Sequence, residues 1–399
     1  MRFPVRPLIG LLLLAGCNPV PPPPAQPAPA PQLGEAKPVA NELPVKETVP
    51  MLTVQAQPCG ESPEGDEITQ FVLENSQGMR VKIINFGGIL TSVEVPDRNN
   101  KFANVTLGFS GLDEYFENAP FFGGLCGRFA NRIANAKFTL DDKEYELFAN
   151  TPPNHLHGGK TSFIKKTWEA KHFLAPEHAV VELTYVSPDG EEGYPGTLTT
   201  KVAYMLNNDN ELTIQYYATT DKPTVLNLTN HAYWNLAGNL APSILDHELT
   251  LFSDQFVEID EAAIPTGKLL PVAGTCMDFT QPQTIGARIA ETTNGNGGYD
   301  HCFVVRDGGK GELKPAAKVV DPKSGRVMEV FTTEPGVQLY TGNYLDGEPS
   351  SAHAPKQAAF CLEAQHFPDS PNRPEFPSVV LRPGETYMQT TVHKFSVAE

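Results

Sequence analysis

From residue 68 onward the chain alternates apolar and polar residues in short runs, and turn-forming residues break the runs. Successive side chains of a strand point to opposite faces, so this period suits strands with one face in a core, not helices. The runs at 68–74 and 80–85 are joined by a turn around Gln77-Gly78. Those at 138–140 and 145–147 flank Asp141-Asp142-Lys143, a hairpin signal. Runs at 180–186, 197–206 and 211–218 follow, with a turn at 207–210, and then 246–252, 301–305, 326–332, 358–365 and 385–395. No long stretch keeps the helical period, and one short helix is expected over 284–291. Many short strands and few helices predict an all-β fold, a large antiparallel β-sandwich or barrel. There is no internal repeat or second linker, so one domain is expected over 62–399.

The start of the chain reads differently. Arg2 and Arg6 precede nine apolar or small residues, 8–16, a run too short to span a bilayer, which needs about 20. The run closes in Leu14-Ala15-Gly16-Cys17, which resembles a bacterial lipobox. The expectation is a lipoprotein signal peptide over 1–16, lipidation of Cys17, and a Pro/Ala-rich disordered tether over 17–61. Such a chain is exported and anchored by its lipid, facing the periplasm, and Asn18 after the cysteine favours the outer membrane. With Cys17 lipidated, the five remaining cysteines are odd in number and form no CxxC, which argues against a disulfide framework and leaves a single bridge open. The net charge of -17, without a basic block, excludes nucleic acid as a partner.

Candidate chemistry gathers in a few clusters. The stretch Val225-Leu-Asn-Leu-Thr-Asn-His-Ala-Tyr-Trp-Asn-Leu236, read as a strand, places Leu226 and Leu228 on one face and Asn227, Thr229 and His231 on the other, followed by Tyr233 and Trp234. Polar groups beside aromatic rings suit a sugar, whose hydroxyls need partners and whose C–H faces pack on rings. A core histidine satisfied by the neighbouring asparagines is the alternative. In Gly127-Arg-Phe-Ala-Asn-Arg-Ile133, Arg128 and Arg132 sit among apolar residues, which calls for a ligand or an acidic partner. In Asn154-His-Leu-His-Gly-Gly159, His155 and His157 could form half of a metal site completed by His231 or Glu363, and the glycines favour a tight turn where a ligand comes close. In Ala358-Ala-Phe-Cys-Leu-Glu-Ala-Gln365, Cys361, Glu363 and Gln365 share the face opposite Phe360 and Leu362. A carboxylate inside so apolar a strand is costly unless paired or protonated, and a raised pKa is what a general base needs. Asp300, in Gly298-Tyr-Asp-His301, is a candidate hydroxyl acceptor or a turn cap.

Taken in order, these motifs resemble the aldose 1-epimerase (mutarotase) family. The resemblance also rests on Asn85-Phe-Gly-Gly88, Gln338-Leu-Tyr-Thr-Gly342, Pro371-Asn-Arg-Pro-Glu-Phe-Pro377 and Leu381-Arg-Pro-Gly384, and covers nearly all of the chain after residue 62. It implies a galactose mutarotase-like β-sandwich with a sugar in an open cleft. It further implies Glu363 as the base that takes the anomeric hydroxyl proton, His231 as the acid that protonates the ring oxygen, and His157 as a second histidine that polarises the sugar. Asn131, Arg132 and Asp300 would hold hydroxyls, and Gln338 would lie near the site. The implied partner is an aldose such as glucose or galactose; no cofactor or metal is implied, and a monomer is expected, touching the membrane only through its lipid. The alternatives are a non-catalytic carbohydrate-binding lipoprotein on the same fold, a hexose-phosphate epimerase, a glycoside hydrolase or lyase needing two carboxylates, and a cupin-like metalloprotein.

Overall fold

The computed structural model describes residues 51–292 and 297–398, which fall within one compact unit, Thr48–Glu399. The expected signal peptide, Cys17 and the tether up to residue 50 lie outside the described residues.

Alternation sets the main sheet. In Leu198–Leu206, Leu198, Thr200, Val202, Tyr204 and Leu206 are buried, and in Glu211–Thr220, Leu212, Ile214, Tyr216 and Ala218 are. These two strands lie in a nine-stranded antiparallel sheet that also takes in Ala179–Ser187, Tyr387–Val397 and Arg326–Thr332. Five strands from Thr53–Glu61 to Phe102–Asn104 form a second antiparallel sheet. A third sheet has the order Pro265–Pro271, Gln255–Ile259, Asp300–Val304, Gly336–Tyr340, Cys361–Gln365. One apolar cluster joins all three: Phe71 and Val81 from the second, Val202 and Ile214 from the main sheet, and Phe303, Leu339 and Leu362 from the third. Burying each such side chain stabilises the fold by about 1.5–3 kcal/mol. This shared core is the antiparallel sandwich that the alternation predicts. The expected hairpin is Lys137–Leu140 paired with Lys143–Glu146, and Asp141 and Asp142 have φ of 50° and 62°, the left-handed pair that a two-residue turn requires.

Three features differ from expectation. The folded part starts before residue 62, because Thr53–Glu61 pairs with Glu67–Glu74. That strand is mostly exposed and is held by ladder hydrogen bonds, so it carries no apolar face to read; a register shift between Pro58 and Gly60 accommodates its proline. The helix expected over 284–291 is two single 3₁₀ turns, Ile285–Ala287 and Ile289–Glu291. A Cβ at Gly286 would lie 3.0 Å from Leu245, so the backbone runs against its neighbour there and a longer helix has no room. Among the described residues the α-helix is Leu112–Glu117, whose single turn is too short for periodicity to reveal. Finally, 225–236 is not one strand. Thr224–Val225 pairs with Val380–Leu381, Thr229–Asn230 with Leu125–Cys126, and Trp234 bridges Thr106 and Phe360. Because each piece has a different partner, the segment threads between layers and is buried on both sides.

Candidate active site

The third sheet aligns the acidic groups. Gln338 stands opposite Glu363 on one side and opposite Cys302 on the other, with Asp300 two residues along. Gln338 Nε2 donates to Asp300 Oδ1 at 2.6 Å, and Arg132 Nη2 donates to Asp300 Oδ2 at 3.2 Å. Arg132 is brought in by a two-residue ladder in which Arg132 pairs with Leu156, and this same ladder sets down His157.

The Asn131–His157 contact then fixes both residues. His157 N–H donates to the Asn131 carbonyl at 3.1 Å, and Asn131 N–H donates to His157 Nδ1 at 3.2 Å. An Nδ1 that accepts leaves the proton of the neutral ring on Nε2. Asn131 Oδ1 accepts from Arg132 N–H at 2.9 Å. Both residues have left-handed backbones, with φ of 66° for Asn131 and 49° for His157. Gly158 is tight for a different reason than expected. A Cβ there would sit 1.8 Å from the Gly127 carbonyl oxygen, so it is chain and not ligand that comes close.

His231 reaches the same cleft from the threaded segment. Its Nε2 lies 3.6 Å from Glu363 Oε1, and its Nδ1 lies 3.5 Å from Cys361 Sγ. Phe121 packs on both imidazoles, with centroids 4.9 Å from His157 and 5.9 Å from His231, and Tyr233 stacks on His231 at 5.0 Å. These groups line a cleft of about 330 Å³ whose outer wall includes Tyr340, Tyr344 and Asp346. That is within the size of a small-ligand site.

Burial dominates the proton affinities. It pushes the Glu363 carboxyl well above the usual range, the Asp300 carboxylate adds to this, and Arg132 opposes it. Burial pulls His231 down to about 4, against its own carbonyl and Asp300, and pulls His157 well below the ordinary value, with His231 adding to the shift. Burial thus disfavours the charged form of both Glu363 and His231. Glu363 Oε2 is buried and has no hydrogen-bond partner among the described residues, so it is poised to meet a polar group entering the cleft.

Donor atoms of His157, His231 and Glu363 all lie within 4.8 Å of one another, a distance range that a cation could draw together. The tautomer speaks against that use: Nδ1 of His157 is engaged by Asn131 N–H, and a cation on Nε2 would need the proton moved onto Nδ1, against that donor. His155 is not part of the set. Its Nδ1 meets the Phe148 carbonyl at 2.8 Å and its Nε2 meets the Tyr194 hydroxyl at 2.7 Å, so it is a satisfied core histidine.

Thus the structure gathers Glu363, His231, His157, Arg132 and Asp300 around one cleft. Asn131 and Gln338 stand behind it and hold Arg132 and Asp300. Arg128 makes no ion pair among the described residues. It spans to the carbonyls of Ser187, Pro188 and Pro195 and to Ser187 Oγ, and so ties loops together. Trp234 lies in the core against His393 and Phe395 rather than in the cleft. Phe121, Tyr344 and Asp346 escape the sequence reading, because they arrive on loops without a period.

Known proteins resemble this chain over most of its length. A family model described as aldose 1-epimerase matches residues 69–394. The chain is 46% identical to the galactose mutarotase of Bos taurus over 352 residues, which are 87% of this chain and 100% of that protein. It is 36% identical to the aldose 1-epimerase of Escherichia coli K12 over 340 residues, 84% of this chain and 97% of that one. Among solved structures it is similar to a galactose 1-epimerase from Lactobacillus acidophilus NCFM, with a TM-score of 0.78 and 29% identity, covering 87% of this chain and 100% of that chain.

Proposed function

We propose that this chain, which belongs to the aldose 1-epimerase family and interconverts the α and β anomers of aldoses, does so with Glu363 and His231 as its acid–base pair. The observation that carries the assignment is the 3.6 Å separation of His231 Nε2 and Glu363 Oε1 in a cleft that removes both from water. The anomeric hydroxyl and the ring oxygen share one carbon, so two groups this close can each reach one of them.

In the forward step Glu363 takes the proton of the anomeric hydroxyl, the bond between C1 and the ring oxygen breaks, and the ring oxygen takes a proton from His231. The open aldehyde turns about C1–C2 and recloses on its other face as the protons return. The step needs a carboxylate and an imidazolium. Burial works against both charged forms, and a sugar hydroxyl donating to Oε2 favours the carboxylate. Each group contributes about 10²–10⁴-fold. His157, as an Nε2–H donor, and the Arg132–Asp300 pair orient the sugar hydroxyls.

Hexose phosphates are disfavoured by charge. Arg132 is the one cationic side chain on the described cleft wall, it is paired with Asp300, and Asp346 lies nearby. The direct test of the function is polarimetric: the full chain should speed the decay of rotation of pure α-D-galactose or α-D-glucose, and no acceleration with any common aldose would leave only a binding role. Replacing Gln338 with leucine should raise KM about tenfold, because Asp300 loses a donor worth about 1.4 kcal/mol. An unchanged KM would remove Gln338 from the site.

We also propose that this domain works outside the inner membrane on a lipidated Cys17, on the strength of Arg2, Arg6, the apolar run 8–16 and the Leu14-Ala15-Gly16-Cys17 motif. Fractionation of cells tests it: Cys17→Ser should release the protein from the membrane, and equal membrane retention would rule the anchor out.

A further inference from the structure

Asn227 is fully buried, lies outside the cleft wall, and belongs to none of the roles above. Its side-chain amide meets the backbone of His366 as a strand would. Oδ1 accepts from His366 N–H at 2.9 Å, and Nδ2 donates to the His366 carbonyl at 3.2 Å. The amide thus extends the ladder one residue beyond Cys361–Gln365, the strand that carries Glu363. Nδ2 also donates to the Ala130 carbonyl at 3.1 Å. The backbone of Asn227 completes the tie, donating to the Arg128 carbonyl at 3.0 Å and accepting from Ala130 N–H at 2.8 Å.

Three parts of the site therefore meet at one side chain. His366 follows Glu363 by three residues, Ala130 precedes Arg132 by two, and Asn227 precedes His231 by four. The side chain of His366 is held separately, by Glu334 at 2.5 Å, so the residue that Asn227 grips is tied through both its backbone and its side chain. We infer that Asn227 is a positioning residue for the epimerase reaction, locking the strand of Glu363 to the loop of Arg132 and to its own segment so that the acid, the base and the sugar-orienting pair keep their spacing. This rests on the assignment of Glu363, His231 and Arg132 to the chemistry.

Loosening such a tie acts on the transition state more than on binding, because a displacement of about 1 Å of a reacting group costs on the order of 10²-fold in rate. The experiment compares Asn227→Ala and the near-isosteric Asn227→Asp with Asn75→Ala. Asn75 is equally buried and ties the turn at residue 75 to Asn207 and Asn210, away from the cleft. Assays run at a temperature where circular dichroism reports each variant folded. The expected result is a kcat 10- to 100-fold lower for both Asn227 variants with KM within about threefold, and an unchanged kcat for Asn75→Ala. If Asn227→Ala does not fold, Asn227→Asp carries the comparison alone. A folded Asn227 variant with kcat within threefold of wild type overturns the inference, as does an Asn75→Ala variant that loses kcat equally. Glu363→Gln is run alongside: if it is inactive while the Asn227 variants are not, only the positioning role fails, whereas an active Glu363→Gln removes the assignment beneath it.

Discussion

Glu363→Gln is expected to lower kcat by at least about 10³-fold while leaving the fold intact. Glutamine matches the shape of glutamate but can neither take nor return a proton, so the anomeric hydroxyl loses its base. His231, whose pKa burial pulls down to about 4, also loses the carboxylate 3.6 Å from its Nε2. The fold should not suffer, since Glu363 is buried with Oε2 unpartnered and burial already disfavours its charge. Polarimetry with α-D-galactose and a thermal melt check both halves. A rate within tenfold of wild type would show that the base lies elsewhere.

Acid should unfold this domain well before its carboxylates are all protonated. His155, His231, His247, His301 and His393 are buried, and burial holds each near a pKa of about 4. The unfolded chain protonates them near the ordinary value of about 6.5. For a depressed group the stability is fully present above the unfolded pKa and is lost as pH falls toward the folded one. Between about pH 6.5 and 4 each histidine therefore adds a slope of about 1.4 kcal/mol per pH unit in favour of unfolding. Glu363 opposes this, because its pKa is raised in the folded state. His366 is raised because Glu334 outweighs the effect of its burial, so its gain is already complete above pH 6.5 and adds no slope in this window. Five slopes against one leave on the order of 10 kcal/mol, comparable with a typical stability of about 5–15 kcal/mol. Thermal melts from pH 7.5 to 4 should show Tm falling steeply below pH 6.5, with activity lost together with the circular dichroism signal. A melting temperature that is flat down to pH 4 would mean that these histidines are hydrated.

The readable parts of the site were those whose signal is local. Glu363 was legible because a carboxylate interrupts an apolar strand, and alternation alone turns it away from Leu362. His231 was legible for the polar and aromatic residues around it, though not as part of a strand. Arg128 and Arg132 looked equivalent along the chain, and only packing separates them. One is satisfied by carbonyls in the interior and the other by Asp300 at the cleft. Asn131 and Gln338 belong to the site but act from behind it, a distinction that depends on hydrogen-bond geometry. The strand Thr53–Glu61 escaped because an exposed strand has no apolar face to declare it.

What the chain determined by itself is which residues alternate, where the turns fall, and which face of each strand a side chain takes, since side-chain direction is set by the local backbone. Only the tertiary structure decided that residues 132, 157, 231, 300 and 363 converge, because cross-strand register and the threading of 225–236 depend on partners far away in the chain. The same holds for the proton affinities of His231 and Glu363. Proton affinity in a cleft depends on how much water the assembled walls exclude and which charges they bring near, and neither exists until the sheets have packed.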